Sequence, residues 1–177
     1  GLDVTSGVFS EFNVEGKRFD LISMFHVLEH LEFPVAELAR LATCLSDEGV
    51  FVIEVPNILY RGMRFAHKWH RGHLSGFSAR TLEATALRAG LHPLVCGEIG
   101  DGGNLFGVFR KGDPLSEDAI VQRLDGAEQE LSRLASNSDA DYFGRSSTWL
   151  KLGPKLLSQL EERRTAQTFK TPVEILE

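Results

Sequence analysis

Four side chains of this sequence have the types and spacing to do chemistry together: His26, Glu29, His30 and, far along the chain, His73. Two imidazoles and a carboxylate at i, i+3 and i+4 come to one side of the chain over a single helical turn. Joined by a third imidazole from a later loop, they would make a ligand set for zinc or another transition metal. The same residues also have a metal-free reading. Glu29 and His30 can hydrogen-bond backbone or cap the turn, and His73 can orient its own loop. His26 or His73 could then be a general base for a hydroxyl or amine acceptor, because an imidazole titrates near neutrality.

The elements that must position these residues form a βαβ unit within Phe19 to Asn57. Asp20–Phe25 is a short apolar run, Pro34–Leu45 carries a helical pattern, and Val50–Val55 is a second apolar run rich in Val and Ile. Pro34 suits the first helical turn, where its missing N–H is not needed, and Val35, Leu38, Leu41, Ala42 and Leu45 then share a face. Ser46-Asp47-Glu48-Gly49 reads as the stop. Strands apolar on both faces belong in a parallel sheet covered by helices, and a right-handed crossover of this length joins neighbours in such a sheet. Ligands of open α/β sheets sit beyond the carboxyl ends of the strands, so His26 to His30 and Pro56-Asn57 face the expected site.

Here the sequence resembles a family. FDLI, then VLEHLEFP, a helix, an acidic-Gly turn, VFVIEVPN and later HLSGFSARTLEATALRAGL look like the second half of a class I S-adenosylmethionine-dependent methyltransferase, from about Gly1 to Lys111. The resemblance implies an α/β fold: the C-terminal part of a Rossmann-like sheet, with parallel strands closed by an antiparallel hairpin. It implies S-adenosylmethionine as cofactor, a small-molecule acceptor methylated on O or N, and cofactor contacts at Gly7, Val8, Phe9, Phe25 and His26. Such domains open with a Gly-rich loop after the first strand and an acidic residue after the second, and neither is in this sequence. Tight cofactor binding by this chain alone is therefore not expected. The Glu-His pair also resembles the Glu-x-x-Glu-His of small-RNA 2′-O-methyltransferases and ubiquinone-pathway O-methyltransferases, which hold a divalent metal with, in the former, a downstream His. Position by position, Glu29, His30 and His73 match and His26 replaces the first Glu. That exchange disfavours Mg²⁺, which prefers oxygen ligands.

After Asn57 the run 58–77 is rich in His, Arg, Gly and aromatics and reads as a lid over the site. Arg61, Arg64, Lys68 and Arg71 make it locally basic, which suits a carboxylate or phosphate on the substrate and equally a solvated loop. Asn57, Arg61 and Trp69 are the candidate substrate contacts. Ser78 then caps a helix ended by Gly90. His92–Glu98 and Asn104–Arg110 form an antiparallel pair across the glycine loop 99–103. From Asp113 the composition turns polar and Ala/Leu/Glu-rich, which divides the chain into a methyltransferase-like part, 1–112, and a helical tail, 113–177. Ser116 caps a first tail helix carrying Ile120, Leu124, Ala127, Leu131 and Leu134. Leu152, Leu156, Leu157 and Leu160 mark a second, making a hairpin.

With 177 residues, 42% hydrophobic and 25% charged, the chain can bury a real core. A net charge of −6 argues against nucleic acid held by overall charge. Cys44 and Cys96 lack metal or redox spacing and read as reduced thiols of a cytoplasmic protein. No apolar run approaches the roughly 20 residues of a membrane span. The sequence begins without Met, which points to a truncated reading frame or a tag scar. Without the family's first two strands, the Asp20–Phe25 edge is expected to pair either with the Leu2–Ser6 run or with a second copy in a homodimer. The alternative to an enzyme is a non-catalytic remnant acting as an interaction module.

Overall fold

The computed structural model describes residues 4–7, 12–63, 72–136 and 138–144. Strand β1 (Phe19–Phe25), helix α1 (Pro34–Ala42) and strand β2 (Leu45–Pro56) form the expected βαβ unit, with β1 and β2 parallel and in register from Leu21↔Val50 to Phe25↔Glu54. Helix α2 (Ala79–Arg88) is followed by strands β3 (Leu91–Ile99) and β4 (Asn104–Lys111), and the sheet order is β1-β2-β4-β3. Both β2–β4 and β3–β4 are antiparallel. The glycine loop is thus a hairpin connection, not a phosphate cradle, with Gly100 and Gly102 at positive φ.

The first helix is three residues shorter than its periodicity predicts. Leu45, 1% exposed, opens β2 opposite Phe19 instead of closing α1. The Phe19 N–H donates to Cys44 O at 2.8 Å, which draws the chain into the sheet at that point. Ser46 to Gly49 do not terminate a helix. They form a bulge inside β2, where one residue of β1, Asp20, faces four of β2, and Ser46 Oγ donates to Asp20 Oδ1 at 2.7 Å across it. A Cβ at Gly49 would stand 2.9 Å from Phe19 O, so the bulge requires glycine there.

Alternation along the strands puts Met24, Phe51, Ile53, Val55, Leu105 and Phe109 in one core with Leu38 and Leu41 of α1 and Leu82 and Ala86 of α2. The opposite face is far less covered: Leu21 and Phe25 of β1 and Val95 of β3 are all more than half exposed. Ser78 caps α2 in a reciprocal box with Thr81, and Gly90 follows the helix at φ +77°.

The expected single tail helix over Ile120 to Leu134 is two helices, α3 (Glu117–Arg123) and α4 (Ala127–Ala135). Gly126, at φ +82°, breaks it in a backbone region that L residues avoid, although the apolar spacing runs on across the break. Ile120 packs on Ala84 and Leu87 of α2, so α3 belongs with the sheet. Compact packing runs to Ser136, and 137–177 is a separate unit, of which the short helix α5 (Asp139–Phe143) is described. The Leu152–Leu160 helix lies outside the described residues. Val4 to Ser6 form no strand, so within the described part of Leu2–Ser6 nothing pairs with β1. No helix among the described residues is long and apolar enough to cross a membrane.

Candidate active site

The site begins where β1 ends. His26 N–H donates to Glu54 O at 2.9 Å, extending the ladder by one residue, and His26 then turns the chain at φ +53°. A non-glycine residue at positive φ is uncommon, and histidine is one of the residues that accept it. The turn delivers a single 3₁₀ turn, Leu28–His30, in which Leu28 is fully buried and anchors the loop in the core.

The 3₁₀ turn in turn holds the segment after the basic loop. Glu29 O accepts from Leu74 N at 2.8 Å and from Ser75 N at 3.1 Å, and His30 Nδ1 donates to Gly72 O at 2.6 Å. A carbonyl can only accept, so this contact fixes the proton on Nδ1 and leaves Nε2 on the other side of the ring. These bonds bring His73 beside His30, with ring centroids 4.9 Å apart and edge to face. The Phe77–Asn57 bridge and the Ile58 N–H to Phe77 O bond close the same segment onto the end of β2.

Glu29 is the centre of the arrangement and is 1% exposed. Its Oε1 lies 3.5 Å from His26 Nδ1 and 3.7 Å from His30 Nε2, yet among the described residues neither carboxylate oxygen has a hydrogen-bond partner. Glu29, His30 and His73 each offer a ligand atom, all within 4.8 Å of one another. The structure thus gathers three of the four residues singled out by spacing. His26 stands outside that triplet, half exposed, with its ring between Glu29 and Glu54, whose Oε1 is 3.5 Å from His26 Nε2.

Two residues here are new. Glu54 accepts from Asn104 Nδ2 at 2.7 Å, and Asn104 Nδ2 is also 3.5 Å from His26 Nε2. Glu54 had a signal, being the one carboxylate inside the apolar run VFVIEVP, whereas Asn104 had none. Asn57, 4% exposed, is a fastening point: its Nδ2 donates to Glu98 Oε1 and Gly102 O, and its Oδ1 accepts from Leu59 N. It also borders a small pocket lined by Glu29, Ile58, Met63, His73 and Ser75. Phe25 is exposed at the end of β1, and Arg61 is exposed at the start of the basic loop. Val8, Phe9 and Trp69 lie outside the described residues, as do Arg64, Lys68 and Arg71. Gly7 is exposed, with nothing within 4 Å of the place its Cβ would take. Among the described residues there is no glycine turn from a strand into a helix, and hence no cradle for a cofactor's methionine or ribose.

A sheet ordered β1-β2-β4-β3, parallel at one end and closed by an antiparallel hairpin, with its polar cluster beyond the carboxyl ends of the parallel pair, has the fold of a class I S-adenosylmethionine-dependent methyltransferase. The chain belongs to the methyltransferase-domain family, whose model matches residues 3–94. Among solved structures it is similar to a chain of the complex between the Haloferax volcanii Trm112 methyltransferase activator and a methyltransferase. There the identity is 15%, the coverage 63% of this chain and 61% of the other, and the TM-score 0.51. It is similar also to the CcbJ methyltransferase from Streptomyces caelestis, at 12% identity, 60% and 62% coverage and a TM-score of 0.50. The chain therefore spans about three fifths of the length of these structures. No curated protein matches its sequence.

Proposed function

We propose that this chain is the acceptor-side part of a S-adenosylmethionine-dependent methyltransferase acting on a small molecule, with O or N as the methylated atom. The observation that carries this reading is the sheet order with its polar cluster beyond β1 and β2, within a family-model match over residues 3–94. Bound S-adenosylmethionine supplies an already activated methyl group, so a protein of this class contributes alignment, exclusion of water and proton removal. In this chain the pocket walls of Ile58 and Met63 exclude water, and His73 on the same pocket is the candidate base for an acceptor hydroxyl or amine. His26, held between two carboxylates, is the second candidate. Arg61, exposed at the start of the basic loop, is the candidate contact for an anionic group on the acceptor, and Asn57 serves by holding the end of β2 against the glycine loop. A cytoplasmic setting fits the free thiols of Cys44 and Cys96.

The cradle for the cofactor is taken to lie in sequence upstream of Gly1, and the open edge of β1 is taken to pair with a second copy when that sequence is missing. Reading the coding DNA upstream of Gly1 tests this: an in-frame strand followed by a Gly-x-Gly turn is expected, and an in-frame stop would favour the interaction-module reading. Calorimetry with S-adenosylmethionine on this chain should show at best weak binding, and micromolar affinity would overturn the assignment of the cradle to other sequence. A second reading, a divalent metal at the Glu29 cluster, is favoured by one specific observation, the buried carboxylate without a hydrogen-bond partner.

A further inference from the structure

Glu29 is 1% exposed, and among the described residues its two carboxylate oxygens accept no hydrogen bond. A buried carboxylate is costly unless a donor or a cation satisfies it. The imidazoles beside it supply no donor within reach. His30 Nδ1 gives its proton to Gly72 O, so the Nε2 that faces Glu29 Oε1 is a lone pair in the neutral ring, and its 3.7 Å is beyond hydrogen-bond distance in either state. His26 stands between two carboxylates, with Nδ1 3.5 Å from Glu29 Oε1 and Nε2 3.5 Å from Glu54 Oε1. Among the described residues no lysine or arginine forms an ion pair with Glu29 or Glu54. The ends of β1 and β2 therefore carry a surplus of negative charge with no fixed cation to balance it.

Glu29 also lines the pocket at the end of β2, together with Pro56, Ile58, Met63 and Ser75. The free volume there is about 20 Å³, room for one group the size of a water molecule. A primary ammonium head has that size. It carries the missing charge and offers three N–H donors to two oxygens that lack any, whereas a hydroxyl offers one donor and no charge. We propose that this pocket binds the ammonium head of a small aliphatic amine, with Glu29 as the group that recognises it. The proposal rests on the methyltransferase reading above and names the class of its small molecule. Charge-assisted hydrogen bonds to Glu29 hold the head, and Pro56, Ile58 and Met63 form an apolar wall for the carbon chain behind it. The head then lies beyond the carboxyl ends of the parallel pair, where open α/β sheets take their ligands.

The test adds n-propylammonium chloride or 1-propanol to the whole chain, at constant ionic strength and with chelator present, and follows the ε-methyl signals of its two methionines by NMR. Met63 lines the pocket, and Met24, 4% exposed in the core, is the internal reference. Propylammonium is expected to move the Met63 signal saturably and to leave Met24 in place. The alcohol has the same chain without the charge and should bind at least about tenfold more weakly. Glu29→Gln, which keeps the volume and removes the charge, should lower the affinity for propylammonium by about tenfold or more. Three results overturn the proposal: equal binding of the two probes, equal binding of propylammonium by wild type and Glu29→Gln, or no saturable movement of Met63, in which case water alone fills the pocket. If Glu29→Gln does not fold, the comparison of the two probes on the wild type decides. A negative result leaves the methyltransferase reading intact, because that reading is judged by the coding DNA upstream of Gly1, and an in-frame stop there leaves the ammonium site intact.

Discussion

At the residue scale, two acids of this chain lose water and meet opposite surroundings. Glu29 meets the imidazole nitrogens of His26 and His30, with Oε1 3.5 Å and 3.7 Å from them. Cys96 meets apolar surroundings and the Glu83 carboxylate; burial first, and Glu83 second, push its thiol from 9.0 up to about 11. The folded state therefore holds the Cys96 proton more tightly than the unfolded chain. Its contribution to stability is complete below about pH 9 and is lost as the pH rises toward 11. At pH 8 the thiolate fraction is lower by about a hundredfold than in the unfolded chain, and alkylation by iodoacetamide should slow accordingly. Peptide mapping by mass spectrometry with and without urea checks this, and equal rates would contradict it. The spacing of His26, Glu29 and His30 was legible because one helical turn is local. The approach of His73 was expected only in outline, since it depends on the Gly72, Leu74 and Ser75 bonds to the 3₁₀ turn. Asn104 beside Glu54 was not legible at all, because β4 reaches that place only through the hairpin.

At the element scale, α2 is held by its first turn. Ser78 Oγ accepts from Thr81 N, Thr81 Oγ1 accepts from Ser78 N, and Ser78 Oγ also donates to Glu130 of α4. Ser78→Ala should therefore cost about 1–2 kcal/mol, the upper part of the range for lost caps, because it removes a tie between helices as well. A urea unfolding midpoint that does not move would show that the box is idle. Ser78 and Gly90 were readable as start and stop because capping is set by residue type within a few positions. The end of α1 was not: Ser46 to Gly49 have the composition of a turn, and whether such residues end a helix or bulge out of a strand depends on the β1 partner beside them. The tail shows the reverse error, a sustained apolar spacing that carried the helix reading past Gly126.

At the scale of the whole molecule, β1 is the terminal strand of the sheet and, among the described residues, pairs on one side only. Leu21 and Phe25 remain largely exposed on it, and such an edge templates pairing with another strand. Self-association is the expected consequence for this chain: light scattering should report a dimer at low micromolar concentration, and Ser23→Lys, at an exposed position in the middle of the edge, should shift it toward monomer. A wild type that is monomeric throughout would remove the edge from consideration.

The sequence by itself determined the βαβ unit, the parallel pairing, the hairpin and the family, because apolar period, capping residues and turn glycines act over a few positions and limit how strands can be connected. It also determined which ionisable residues share a turn. Only the tertiary structure decided that Glu29 is sealed from water without a hydrogen-bond partner among the described residues, that the Gly72 carbonyl sets the tautomer of His30, and that His26 faces Glu54 instead of joining the triplet. Those outcomes depend on segments distant in sequence meeting beyond the strand ends, and desolvation and ring orientation are properties of that meeting, not of any one stretch of chain.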